Sequence, residues 1–134
     1  MKPPRLSLDE FCQIARQVVD ELPQPFHRWL ENVVLDVELD PSPKLLRQMD
    51  MDPDEETLMG LFEGHAVTEQ EYGDHLPNRI RLFKHPIEEA CHSRDEVAYE
   101  IRRTVIHELA HHFGYSEEDL DEFESRESPF DEHD

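Results

Sequence analysis

The segment from Ser93 to Phe113 constrains the fold most, because it carries the longest helical repeat of apolar residues in the chain. Ser93 and Glu96 can form a capping box at its start. Gly114 suits the left-handed conformation that often ends a helix. We therefore predict a long helix over residues 93–113 with one buried stripe, which comprises Val97, Ile101, Val105, Leu109 and His112.

The same predicted helix contains the motif His-Glu-x-x-His at His107, Glu108 and His111. Residues four apart lie nearly above one another on a helix, so both imidazoles can face one centre, and they face inward if a cation lies there. Two histidine nitrogens suit Zn²⁺, and Glu108 beside them can take a proton from a zinc-bound water molecule. The alternative is a salt-bridged helix in which the histidines are incidental, because such a short motif also arises by chance.

A hydrolytic zinc site usually has three protein ligands, so a third ligand is expected after Gly114. In the longer pattern H-E-x-x-H-x-x-G-x-x-ligand, the last position is Glu117, which we predict to complete the site of one Zn²⁺ ion. The alternative role of Glu117 is to complement the dipole of a short helix predicted over residues 117–123. If the turn is looser, the third ligand is one of Glu118, Asp119, Asp121 and Glu122.

Other reactive side chains have simpler interpretations. We predict that His112 packs against or supports the site and is not a ligand. Tyr115 is predicted to pack on the core, with a hydrogen bond to a tetrahedral intermediate as the alternative. Cys91 has no positioned base and is not predicted to be a nucleophile. Arg79 and Arg81 are expected on an outer strand face, where they balance neighbouring acids.

The rest of the chain alternates short helices and strands. Gly60 within the second strand suggests a bulge or the close approach of another backbone. The loop over residues 41–56 has room for one helical turn. The predicted elements are a helix over Ser7–Leu22 with a capping box of Ser7 and Glu10, a helix over Pro25–Asn32, and strands over Val33–Leu39, Thr57–Phe62 (extending past Gly64) and Arg79–His85.

Length and charge limit the classes of function. The 134 residues suit one domain over 1–134, with residues 124–134 as an acidic, flexible tail. A formal net charge of −20 disfavours nucleic acids and anionic membranes as partners. The start of the chain lacks the apolar stretch of a signal peptide, and nothing is long enough to span a membrane. We expect a cytoplasmic monomer that acts on a peptide or an unstructured protein.

Three segments together resemble a known family. "HELAHHFGYSEEDLDE", preceded by "LMGLFEG" and "LPNRIRLFKHPIE", is similar to the small bacterial zincin-like metallopeptidases, also called minimal metalloproteases. The resemblance spans about Leu8 to Glu122. It implies an α+β, minimal zincin-like fold, in which a long active-site helix packs on a three-stranded mixed sheet with additional helices. It also implies zinc at His107 and His111 with Glu108 as general base, and the family often has Asp where this chain has Glu117.

We therefore expect a zinc-dependent metallopeptidase that hydrolyses peptide bonds through a zinc-activated water, with Glu108 as general base. An extended substrate is expected to lie along an edge strand in the region from Thr57 to Val67. Two alternatives stay open. One is a metal-binding protein with a structural metal and no peptidase activity, and the other is a non-enzymatic acidic interaction module.

Overall fold

The structure, a computed structural model, describes residues 3–24, 26–31, 33–64 and 78–112. Five helices and three strands lie within these residues. In chain order they are α1 (Leu8–Asp20), α2 (Phe26–Trp29), β1 (Val33–Glu38), α3 (Pro43–Gln48), β2 (Gly60–Glu63), β3 (Asn78–Phe83), α4 (Lys84–Glu89) and α5 (Arg94–His112).

The three strands form one mixed sheet in the order β1-β3-β2. β1 runs parallel to β3, with Val33 opposite Asn78. β2 runs antiparallel to β3, with Gly60 opposite Leu82. The predicted three-stranded mixed sheet is confirmed, and within the described part of the chain β2 lies at one edge.

The core lies between the sheet and the two longest helices. α5 contacts α1, α2, α4, β2 and β3, so it is the central element of the packing. Its apolar stripe is buried as predicted, except for His112, which is exposed. The largest fully buried side chains come from four helices and β3 and are Phe11, Phe26, Phe83, Ile80, Leu82, Ile87, Ile101, Ile106, Leu109, Val97 and Val105. This arrangement confirms the α+β, zincin-like architecture.

The starts of both long helices are capped by side chains. Ser7 Oγ accepts the Glu10 N–H at 3.1 Å, and the Glu10 carboxylate accepts the Ser7 N–H at 2.9 Å, so the predicted capping box of α1 is confirmed. Ser93 Oγ likewise accepts the Glu96 N–H at 3.2 Å. The Glu96 carboxylate, however, accepts the N–H of His92 at 2.9 Å. The predicted Ser93 cap of α5 is therefore present, but the Glu96 carboxylate accepts from the His92 N–H and not from the Ser93 N–H that a capping box would use.

The predicted third strand, Arg79–His85, is two residues too long because α4 begins at Lys84. The parallel ladder adds one more bond, from the His85 N–H to the Leu39 carbonyl at 2.9 Å, within the first turn of the helix. Pro86 is compatible with this helix because the N–H groups of the first turn have no intrahelical partner. No helix was predicted from these residues, and α4 is a correction.

The other predicted elements exist with different boundaries. The second strand is Gly60–Glu63, where Thr57–Phe62 was predicted, and the helix predicted over Pro25–Asn32 is limited to Phe26–Trp29. The predicted helical turn within residues 41–56 is α3. The helix predicted over 117–123 and the tail over 124–134 lie outside the described residues, and the single domain over 1–134 stays a prediction.

The outer face of the sheet carries a ladder of ion pairs, as predicted for the two arginines. Arg81 makes two bonds to Glu38, from Nε at 2.7 Å and from Nη2 at 2.9 Å, and a third to Glu63 at 3.2 Å. Arg79 contacts Glu63 at 2.8 Å and Asp36 at 3.1 Å. The hydrogen bond from Arg81 holds the pKa of the Glu38 carboxyl below its ordinary value. These pairs connect all three strands.

Candidate active site

The imidazoles of His107 and His111 lie side by side at the C-terminal end of α5. Their ring centroids are 5.9 Å apart, and the ring planes are nearly perpendicular at 88°. A zinc ion at the usual Zn–N distance lies about 3 Å from the centre of each ring, so two rings at a tetrahedral angle have centres about 5 Å apart. The observed separation is close to that value, and the pair is therefore suited to share one cation.

A backbone carbonyl orients the His107 ring. Its Nδ1 lies 3.2 Å from the carbonyl oxygen of Arg103, one turn earlier on α5. A carbonyl oxygen only accepts hydrogen bonds, so this contact requires a proton on Nδ1, and a neutral ring that makes it has its lone pair on Nε2. This arrangement is typical of histidines that bind a metal through Nε2, because the bond to Nδ1 fixes both tautomer and orientation.

Glu108 is held by the edge strand of the sheet. Its Oε1 accepts the backbone N–H of Phe62 at 2.7 Å. Burial raises the pKa of the Glu108 carboxyl above its ordinary value, while the Phe62 N–H, His111 and His107 oppose that shift. A half-buried carboxyl with a raised pKa is a suitable general base near neutral pH.

The motif lies at the border of the core. Ile106, Leu109 and Ala110 are fully buried, while His107 is partly exposed and His111 is exposed. The prediction that both histidines face inward toward a cation stays a prediction, with His111 exposed in the described structure. The side chains that face away from the core are accessible to a substrate, which an active site requires.

His112 is exposed and lies outside the buried stripe. Its ring packs instead on the Phe62 ring, with centroids 4.2 Å apart and planes inclined by 33°. The predicted packing role of His112 is in keeping with this contact, although the partner is the edge strand and not the core.

A cavity of about 290 Å³ lies beside His107 and Glu108. It is lined by Thr57, Leu58, Met59, Gly60, Glu100, Arg103, Thr104, His107 and Glu108. A larger cavity of about 960 Å³ lies between the N-terminal residues and α4 and has no residue of the motif in its wall. We place the candidate site at the smaller cavity, because His107 and Glu108 of the motif both line it.

The remaining predicted site residues have different outcomes. Glu117 and Tyr115, and the alternative ligands from Glu118 to Glu122, lie outside the described residues, so their roles stay predictions. Among residues 3–24, 26–31, 33–64 and 78–112, no group of three or more His, Cys, Asp or Glu side chains suited to a metal is found. Cys91 is buried, and burial together with Glu100 raises the pKa of its thiol to about 11, in agreement with its predicted lack of nucleophilic function.

Sequence reasoning missed Phe62 as a residue of the site. Its contribution is a backbone N–H, which no side-chain motif reveals. The signal in the sequence was the pair of glycines in "GLFEG" on either side of it, because glycines within a strand often mark a close approach.

Comparison with known proteins identifies the family of the chain. The sequence matches the zincin-like metallopeptidase family over residues 30–127, and the chain belongs to that family. No curated protein gives a match. The structure is similar to that of a conserved hypothetical protein from T. thermophilus, with a TM-score of 0.52 and 20% sequence identity. This similarity covers 87% of the present chain and 99% of the other, and at this identity it shows a shared fold alone.

The described residues include no helix that is both long and apolar enough to cross a membrane.

Proposed function

We propose that this protein is a zinc-dependent peptidase in which His107 and His111 bind the metal and Glu108 is the general base. The observation that carries the proposal is the joint placement of the two rings, 5.9 Å apart, beside a carboxylate that the Phe62 N–H holds at 2.7 Å. Membership of the zincin-like metallopeptidase family supports hydrolysis of peptide bonds as the reaction.

The donor set fits Zn²⁺. His107 would bind through Nε2, since Nδ1 is engaged by the Arg103 carbonyl, and His111 would provide the second nitrogen. Glu117 is proposed as the third ligand, with a carboxylate oxygen. When bound, zinc would act as a Lewis acid: it would polarise the substrate carbonyl and make a water molecule acidic enough to be deprotonated near neutral pH.

Glu108 would carry the proton in this reaction. With Oε1 accepting from the Phe62 N–H, Oε2 is the oxygen that would take the proton from the attacking water. The same carboxyl would then give that proton to the leaving amine when the peptide bond breaks. The bond from the Phe62 N–H would hold the carboxyl in place for both steps.

An extended peptide is proposed to lie along β2, which is an edge strand within the described sheet. It would bond to outward backbone groups of this strand other than the Phe62 N–H, which Glu108 occupies. The cavity beside His107 and Glu108 is large enough, at about 290 Å³, to receive one substrate side chain. Its charged wall residues, Glu100 and Arg103, lie 3.6 Å apart at their nearest charged atoms. They would contact the side chain that enters this cavity and influence which substrates are cleaved.

The test compares the wild type with Glu108→Gln on a mixed peptide library, with zinc content measured on both proteins. The amide keeps the shape of the side chain and cannot serve as a base. We expect Glu108→Gln to keep stoichiometric zinc and to lose activity by a factor on the order of 10²–10⁴. Glu89→Gln, an exposed position at the end of α4, is the matched control and should cleave like the wild type.

Three outcomes contradict the proposal in different ways. Equal cleavage by wild type and Glu108→Gln indicates a contaminating peptidase. Stoichiometric zinc without turnover in the wild type indicates the metal-binding alternative. Absence of zinc from protein purified without chelators indicates the acidic interaction module.

A further inference from the structure

The edge strand and the active-site helix lie side by side with matching repeats. Gly60 lies against Thr104, Phe62 against Glu108, and Gly64 against His112. Two residues of a strand advance about 6.6–6.8 Å, and four residues of a helix advance about 6.0 Å. Because these steps are nearly equal, alternate residues of the strand segment 60–64 meet every fourth residue of α5.

The two glycines allow this segment to lie unusually close to α5. A Cβ added to Gly60 would lie 2.5 Å from Thr104 Cγ2 and 3.2 Å from the Arg81 carbonyl oxygen. A Cβ added to Gly64 would lie 2.8 Å from His112 Cε1 and 3.1 Å from Phe62 Cε1. Carbon atoms do not normally pack at such distances, since their contacts are best at about 3.5–4.0 Å. A larger side chain at either position would therefore move the strand away from the helix.

The bond between Phe62 and Glu108 depends on this separation. It joins residues 46 positions apart in sequence, and its length of 2.7 Å leaves little room for displacement. An outward movement of about 1 Å would lengthen the bond beyond the usual range of hydrogen bonds. Glu108 would then lose the contact that fixes Oε1, although the histidines on the helix would keep their places.

We propose that Gly60 and Gly64 are positioning residues, which hold β2 at the separation from α5 where the Phe62 N–H orients the Glu108 carboxylate. The effect of this orientation on turnover rests on the proposed peptidase function. The orientation itself does not, so the two can be tested separately.

The structural test measures hydrogen exchange of the Phe62 amide by NMR in the full-length, zinc-loaded protein. We expect slow exchange in the wild type and in Glu108→Gln, whose side-chain carbonyl can still accept the bond. Exchange should be at least tenfold faster in Glu108→Ala and in Gly60→Ala. The Ile101 amide, in the buried part of α5, is the internal reference and should not change.

A compensating variant distinguishes positioning from general destabilisation. Thr104→Ser removes the Cγ2 methyl group that a Cβ at residue 60 would meet. Gly60→Ala combined with Thr104→Ser should therefore regain most of the protection of the Phe62 amide from exchange. Thr104→Ser alone should leave that protection as in the wild type. If Gly60→Ala does not fold, Gly64→Ala serves instead, because the His112 and Phe62 rings that a Cβ at residue 64 would meet can absorb part of the strain and leave a smaller displacement of the strand.

Kinetics provide the second readout. Gly60→Ala should lower kcat at least tenfold with zinc affinity unchanged, and the compensating variant should restore most of kcat. Phe62 exchange in Gly60→Ala and Gly64→Ala that is as slow as in the wild type would overturn the proposal, as would faster exchange with unchanged kcat. If exchange follows the expected pattern and the zinc-loaded wild type has no turnover, the peptidase function is wrong and the positioning of Glu108 is supported.

Discussion

His107 and His111 occupy equivalent positions in the motif and differ in their surroundings. His107 is partly buried, with Nδ1 bonded to the Arg103 carbonyl at 3.2 Å, whereas His111 is exposed. Contacts that fix a ligand ring before the metal binds reduce the conformational entropy that binding must overcome. The His107 ring is therefore oriented by the helix itself, as would suit the proposed metal ligand.

Replacing either histidine should remove zinc from the site. We expect His107→Ala and His111→Ala each to weaken zinc binding by more than the roughly 10–100-fold that follows loss of an outer-shell hydrogen bond. Competition with a chromophoric chelator measures the affinity. His92→Ala, at an exposed position before α5, is the control and should bind like the wild type. Wild-type affinity in His111→Ala would show that the two rings do not share an ion.

The roles proposed for single residues follow from the sequence to different extents. The pairing of His107 with His111 is local, so the period of the helix was enough to predict that the two rings lie side by side. The contact between Phe62 and Glu108 was beyond prediction, because it depends on how two distant elements pack. The position of Glu117 depends on the residues that follow α5, which are not described.

Among the elements, α1 and α5 were predicted best because each has a long apolar period and a side-chain cap. α4 was missed for a physical reason. The alternating pattern of "RIRLFKH" continues to His85 and is typical of a strand, and the proline that follows does not signal a helix, although proline is tolerated in a first helical turn. Lys84 instead begins a helix, in which it pairs with Glu88 four residues later, and both side chains are buried. The spacing of this pair is helical, but the alternating pattern does not show that the two charged side chains are buried.

The two arginines of the ion-pair ladder on the outer face of the sheet should contribute unequally to the stability of the protein. Arg81 is 15% exposed and bonds to acids on both neighbouring strands, whereas Arg79 is 44% exposed. We expect Arg81→Met to lower the free energy of unfolding by about 1.5–3 kcal/mol, as for hydrogen bonds to charged groups. Arg79→Met should lower it by less than about 1 kcal/mol because solvent screens the pair.

Urea denaturation of both variants at low and high salt measures this difference. The loss in Arg79→Met should shrink further at high salt, while most of the loss in Arg81→Met should persist. Equal losses in the two variants would mean that burial of Arg81 does not strengthen its contacts.

A buried ion pair in α4 contacts the N-terminal residues of the chain. Lys84 Nζ lies 3.0 Å from Glu88 Oε2, and both residues are almost completely buried. Glu88 Oε2 also accepts the N–H of Leu6 at 3.3 Å, which connects α4 to the residues that precede α1. The Glu88 carboxylate therefore joins two segments of the described structure that are far apart in sequence.

Replacing one member of the Lys84–Glu88 pair should lower the free energy of unfolding much more than replacing both. Lys84→Met leaves a buried carboxylate without its counter-ion, and we expect a loss of roughly 3–5 kcal/mol in the free energy of unfolding. The double variant Lys84→Met, Glu88→Leu should lose considerably less. Arg94→Met is the control for an exposed pair, with Glu10 at 3.5 Å, and should lose less than about 1 kcal/mol. A double variant as unstable as Lys84→Met would contradict this account.

The short edge strand has a consequence for solubility as well as for chemistry. A sheet edge with unpaired backbone donors can recruit strands of other chains and so begin aggregation. β2 spans only Gly60–Glu63, and the outward N–H of Phe62 is already taken by Glu108. The same bond that orients a carboxylate thus removes one attachment point from an edge that would otherwise invite self-assembly.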